Sequence, residues 1–85
     1  MNELESLKKK IKYRSSYRGT KEMDLLLGSF ISKYIDTFSL GELKKLVVFI
    51  ECNDEDISNF YLNKTPIKFF EDKKILDLFI KHKIR

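Results

Sequence analysis

The sequence predicts an all-α protein, a compact bundle of about five short helices. Apolar residues recur at helical spacing in successive segments, and helix-start signals stand between those segments. No stretch alternates apolar and polar residues at the period of a strand. The 85 residues form one domain, 1–85, of a size that buries only about 60% of its unfolded surface or slightly more. Hydrophobic residues at 42% and aromatic residues at 13% can supply a core. A domain this small has little room for a pocket holding a cofactor and a substrate together.

Leu4, Leu7 and Ile11 mark the first helix, and Lys8, Lys9, Lys10 and Lys12 give it a basic face. Ser15 and Ser16 loosen the pattern ahead of Arg18, Gly19 and Thr20. The second helix is the clearest: Met23, Leu26, Leu27, Phe30, Ile31, Tyr34 and Ile35 follow the i, i+3, i+4, i+7 rule. Gly28 lies inside it and costs up to about 1 kcal/mol relative to Ala, which points to close helix packing at that position.

Ser39 and Glu42 form an S-x-x-E capping box that opens the third helix, with Leu43, Leu46, Val47 and Ile50 as its stripe. Asn53 or Asp54 caps a fourth, short helix carrying Ile57, Phe60 and Tyr61. Carboxylates at 54, 55 and 56 suit the positive end of its dipole. The stretch from Asn63 to Pro66 breaks the chain. Glu71 and Asp72 then open a last helix with Ile75, Leu76, Phe79 and Ile80, and Lys81, Lys83 and Arg85 suit its negative end.

Charge is unevenly spread. Residues 1–22 carry seven basic and three acidic side chains, residues 23–63 three and seven, residues 64–85 seven and three. Basic ends around an acidic middle suit a protein partner of mixed potential, or a nucleic acid. Against the nucleic acid, the lysines at 8 to 12 are not joined to a recognition helix. No apolar run approaches the roughly 18 residues of a membrane span, and no secretory signal opens the chain. Glu3 and Glu5 argue against a transit peptide. The expected location is the bacterial cytoplasm.

Candidates for chemistry fail one by one. His82 is the only imidazole and has no evident partner for general-base work. Cys52 follows an apolar stripe and reads as a buried structural thiol, with no neighbour in sequence to lower its pKa. One Cys and one His exclude a disulfide and a zinc site. The acidic run at 53–56 lacks the Gly and terminal Glu of a calcium loop, and three isolated glycines make no phosphate-binding loop. The chain is therefore expected not to be an enzyme, to have no catalytic residues, and to hold no metal or permanent cofactor.

What remains is a cluster at 13 to 24: Tyr13, Arg14, Tyr17, Arg18, Gly19, Glu22 and Asp24. Arg18 and Glu22, four apart, would face one way on a helix and form an ion pair worth about 0.3–0.5 kcal/mol if exposed. Two readings are open. One is a modest surface pair with Gly19 forming a turn. The other is a polar hot spot, with Gly19 admitting a partner backbone.

The stretch Tyr13-Arg14-Ser15-Ser16-Tyr17-Arg18-Gly19-Thr20-Lys21-Glu22-Met23-Asp24-Leu25-Leu26-Leu27-Gly28-Ser29-Phe30 resembles the signature of the SdhE-type FAD assembly factors, in its alphaproteobacterial form YRS-x-x-RGT-x-EMDLLLG-x-F. Arg18, Gly19 and Glu22 match that family's RG-x-x-E core. The family's D-x-D-L-Y-x-W segment is kept at Asp54, Asp56 and Ile57, but Ser58 stands for the Tyr and Phe60 for the Trp. The resemblance covers roughly residues 11 to 80. It implies a five-helix bundle that binds the flavoprotein subunit of succinate dehydrogenase, and in some bacteria that of fumarate reductase, and promotes covalent attachment of FAD to a histidine of that subunit.

FAD would then be the partner's cofactor, and the free helper a monomer without membrane insertion. The resemblance places the partner-binding face at Arg18, Gly19 and Glu22, with Arg14, Tyr17 and Asp24 as neighbours by position. The helper could act by shifting the partner toward its attachment-competent conformation, or by direct electrostatic help from Arg18. The alternatives are a helical interaction domain for another protein and a small nucleic-acid-binding module.

Overall fold

The apolar stripes become five helices in the computed structural model, which describes residues 2–16, 18–68 and 70–82. Helix α1 spans Glu3–Ser16, α2 Lys21–Tyr34, α3 Leu40–Ile50, α4 Asp54–Asn63 and α5 Lys73–Lys81, with a 3-10 turn at Ile35–Thr37 after α2. No strand occurs among the described residues, as the all-α reading expects. Tyr17, Lys83 and Arg85 lie outside the described residues.

Helix starts follow their local chemistry. Thr20 caps α2 by accepting from the Met23 N–H at 3.2 Å. The capping box on α3 is complete: the Glu42 carboxylate accepts from the Ser39 N–H at 2.8 Å, and the Ser39 hydroxyl accepts from the Glu42 N–H at 3.3 Å. Asn53 caps α4 and Asp72 caps α5. Asp54, the other candidate cap of α4, becomes that helix's first residue and is used elsewhere.

Among the described residues, helix α2 contributes the most buried residues of any helix, Met23, Leu26, Leu27, Phe30 and Ile31. Helix α1 packs across α2 and α3, seating Ile11 fully and Leu4 and Leu7 partly. Phe79 of α5 stands edge-on to both Phe30 and Phe49 at 5.1 Å and meets Tyr61 of α4 at 5.2 Å. One ring of α5 thereby joins α2, α3 and α4, an arrangement that adds to the area buried by each ring. The radius of gyration is 12.0 Å, matching the roughly 12 Å of a compact chain of this length.

Two local expectations are corrected and a third is refined. Gly28 does not admit a close helix: a Cβ placed there would meet nothing within 4 Å. Ser15 and Ser16 do not loosen α1, because both hydroxyls donate to the Lys12 carbonyl and the helix runs through them. The chain breaks within Asn63–Pro66 as expected, and Lys64 makes the stop: it takes the left-handed conformation at φ 58° and donates its N–H back to Phe60 O at 2.9 Å.

Candidate functional site

Arg18 lies in the short link between α1 and α2, not on a helix. Its side chain is only 10% exposed and reaches the junction of α3 and α4. There Nε donates to Asp54 Oδ1 at 2.8 Å, and Nη2 lies 2.6 Å from the same oxygen. Nη1 donates to the Ile50 carbonyl, and Nη2 to the Cys52 carbonyl at 2.9 Å. The expected Arg18–Glu22 ion pair is not formed, because Arg18 precedes the first turn of α2 and so does not share a helix face with Glu22.

The physical reason for this placement is visible at the end of α3. That helix has no basic residue in its last turn, and its terminal carbonyls carry the negative end of the dipole. The Arg18 fork supplies the missing charge from a distant segment, and its planar geometry serves two carbonyls and a carboxylate at once. Asp54 gains in turn from the positive end of α4.

Backbone donors of the link are fixed in the same way. The Arg18 N–H donates to Asp24 Oδ1 at 2.5 Å, and the Gly19 N–H donates to Asp54 Oδ2 at 3.0 Å. Two carboxylates, one from α2 and one from α4, thus hold the link from either side. Gly19 has no positive φ, so it is not required for a left-handed turn. The carboxylate approaches closely instead: a Cβ on Gly19 would stand 3.2 Å from Asp54 Oδ2.

Arg14, on the last turn of α1, reaches Glu51 at 3.5 Å, with both side chains near half exposed. An open groove of about 400 Å³ runs between them, lined by Tyr13, Arg14, Arg18, Ile50, Glu51 and Cys52. Glu22 is exposed on the first turn of α2. Of the expected cluster, Arg18, Gly19 and Asp24 are therefore brought together, Arg14 lies alongside, Glu22 faces solvent, and Tyr17 lies outside the described residues. Asp54 and Glu51 were missed as members; the signals for Asp54 were the acidic segment, which also reads as ordinary helix capping, and its match to the family's D-x-D pattern, and Glu51 had none.

Neither remaining nucleophile nor base is poised. Burial, with Asp56 nearby, pushes the Cys52 thiol pKa up despite Arg18, and its S–H donates to Val48 O at 3.4 Å. His82 is buried against Phe30 and Tyr34. The Ser29 hydroxyl, donating to Leu26 O at 3.2 Å, lies 2.7 Å from His82 Nε2, and Nδ1 has no partner. Among the described residues no group of His, Cys, Asp and Glu is arranged to hold a metal, and no helix is long and apolar enough to cross a membrane.

Comparison with known proteins adds the remaining findings. The model of the family described as "Flavinator of succinate dehydrogenase" matches residues 9–83. The chain is 34% identical over 82 residues to "Succinate dehydrogenase assembly factor 2, mitochondrial" of Dictyostelium discoideum, covering 96% of this chain and 58% of that protein. It is 28% identical over 64 residues to "FAD assembly factor SdhE" of Acetobacter pasteurianus (strain NBRC 105184 / IFO 3283-01), covering 75% and 59%. It is 33% identical over 81 residues to "Succinate dehydrogenase assembly factor 2-A, mitochondrial" of Drosophila mojavensis, covering 93% and 52%. The chain spans between about half and three-fifths of the length of these relatives. No solved structure matches it.

Proposed function

This chain belongs to the flavinator of succinate dehydrogenase family, and we propose that it is an assembly factor that binds the flavoprotein subunit of succinate dehydrogenase and promotes covalent attachment of FAD to it. The observation that carries the reading is the family match across residues 9–83, which includes the whole Arg18 link and the α3–α4 junction it grips. In this reading the chain is not an enzyme. FAD and the attacking histidine belong to the partner, and the helper works as a monomer in the bacterial cytoplasm. The flavoprotein of fumarate reductase is a second candidate client.

The proposed contact face comprises Arg14, Gly19 and Glu22, with Arg18 and Asp24 setting its shape and Tyr17 beside them in sequence. Arg18 itself favours the conformational mechanism over direct electrostatic help. Its guanidinium is nearly covered and committed to Asp54, Ile50 O and Cys52 O. A rigid face that binds the attachment-competent conformation of the partner shifts its population by the difference in affinity between conformations. Orientation of the partner's histidine against the flavin then speeds the step without a catalytic group from the helper.

The test is capture of the cognate flavoprotein subunit by the wild type and by Glu22→Ala and Arg14→Ala, with covalent flavin read by in-gel fluorescence. Capture by the wild type and loss of capture or flavin with the variants is expected, since both residues are exposed and their truncation leaves the core intact. A wild type that captures no flavoprotein would overturn the reading.

A further inference from the structure

We propose that Asp54 is the positioning residue of the partner-facing link, holding Arg18 and Gly19 in the one arrangement that the flavoprotein reads. The inference rests on the proposed function and assigns a role to a residue on a different helix from the signature.

Both oxygens of the carboxylate are used, each on a different part of the link. Oδ1 takes the Arg18 guanidinium at 2.8 Å and 2.6 Å, while Oδ2 takes the Gly19 N–H at 3.0 Å. The side chain reaches across 35 residues of sequence to a backbone amide, so it ties the link between α1 and α2 directly to the start of α4. It is 29% exposed, enough that a small displacement is not resisted by core packing. Asp24 holds the neighbouring Arg18 N–H from α2, but the Gly19 N–H itself is held by Asp54, so the position of Gly19 between Arg14 and Glu22 on the proposed face depends on this carboxylate from the α4 side.

The chemistry of the pair makes a sharp test available. Asparagine is nearly the size of aspartate but has one acceptor oxygen and one NH2 donor. In Asp54→Asn the amide can face its oxygen to the guanidinium or to the Gly19 N–H, and the other contact becomes donor against donor. The link loses one of its two attachments to residue 54, while its contacts with Asp24, Ile50 O and Cys52 O and the core beneath it are untouched.

The experiment measures the affinity of the purified chain for the flavoprotein subunit, and hydrogen exchange at the Gly19 amide, in the wild type, Asp54→Asn, Asp54→Ala and Ser39→Ala. All are compared at a temperature where each is fully folded by circular dichroism. Ser39→Ala removes the cap of α3 and serves as a destabilised control away from the link. Asp54→Asn is expected to weaken binding by about tenfold or more and to speed Gly19 exchange, while Ser39→Ala leaves both near wild type. Wild-type affinity together with unchanged Gly19 exchange in Asp54→Asn would overturn the positioning role alone. An equal loss of affinity in Ser39→Ala would overturn it too, reducing Asp54 to a stabilising residue. A wild type that does not bind the flavoprotein at all would overturn the proposed function, and this inference with it.

Discussion

Arg18 and Asp54 meet at 2.6 Å across 36 positions of sequence, and through that contact the link ahead of α2 is fastened to the turn between α3 and α4. The guanidinium also holds the carbonyls of Ile50 and Cys52, so one side chain closes the end of one helix and the start of the next.

Lysine cannot replace this arginine. A single ammonium can meet Asp54 or the carbonyls, but it lacks the planar fork that meets both. Arg18→Lys is expected to lose about 2–3 kcal/mol of stability, since a partly buried carboxylate and two helix-end carbonyls are left underserved. Urea denaturation checks this, as a lower midpoint at unchanged slope. Flavin-attachment assays on Arg18 variants need the same control, because at this residue loss of fold would mimic loss of the proposed recognition.

Gly19→Ala should behave differently. Its φ is not in the left-handed region, so alanine is not strained there and reduces the freedom of the unfolded chain. The new methyl would sit 3.2 Å from Asp54 Oδ2, which must yield by a few tenths of an ångström. These effects oppose each other, and a net change within about 1 kcal/mol is expected by thermal unfolding. Flavoprotein capture should fall more than stability does.

Stability should decline as the medium is acidified below about pH 6.5, the ordinary imidazole value. Burial, with repulsion from Lys33, holds the His82 pKa below that value. The unfolded chain therefore takes up the proton first as pH falls. The stabilisation is full above about pH 6.5 and is lost as pH falls toward the folded-state pKa. His82 is the only histidine, so its imidazole resonances give the folded-state pKa directly by NMR titration. A folded-state value at or above 6.5 would contradict the prediction. Asp36 and Glu42, both lowered by their contacts with lysines, add a second decline in the carboxylate range.

Lys64→Gly is expected to raise stability by roughly 0.5–1 kcal/mol. Lys64 stands in the left-handed conformation at the end of α4, where a Cβ is unfavourable and glycine is not. Thermal unfolding of the variant would show the increase, and a decrease would mean that the lysine stem contributes more by packing than its backbone costs.

The proposed face shows how far recognition of a motif reaches. The run from Tyr13 to Phe30 located the cluster, and Arg18, Gly19 and Asp24 do assemble there. The order of residues alone could not tell which acid Arg18 would choose. Spacing favoured Glu22, because four residues make neighbours on a helix, yet the helix begins at Lys21 and Arg18 falls outside it. Asp54 was legible as a helix-capping residue and as a match to the family's D-x-D segment, but neither reading named Arg18 as its partner.

The sequence by itself determined the helices, because local spacing and capping chemistry act within a few residues. The stripe from Met23 to Ile35, the Ser39–Glu42 capping box and the acidic opening of α4 all specify structure without distant help. Only the tertiary structure decided the long-range pairings: Arg18 with Asp54, Ser29 with His82, and Phe79 among Phe30, Phe49 and Tyr61. It also brought Phe38, Ile67 and Phe70 from the connecting segments into the core, where no helical period marked them. Such pairings depend on how the helices pack, and a side chain's charge or size does not name its partner until packing has brought the two within reach.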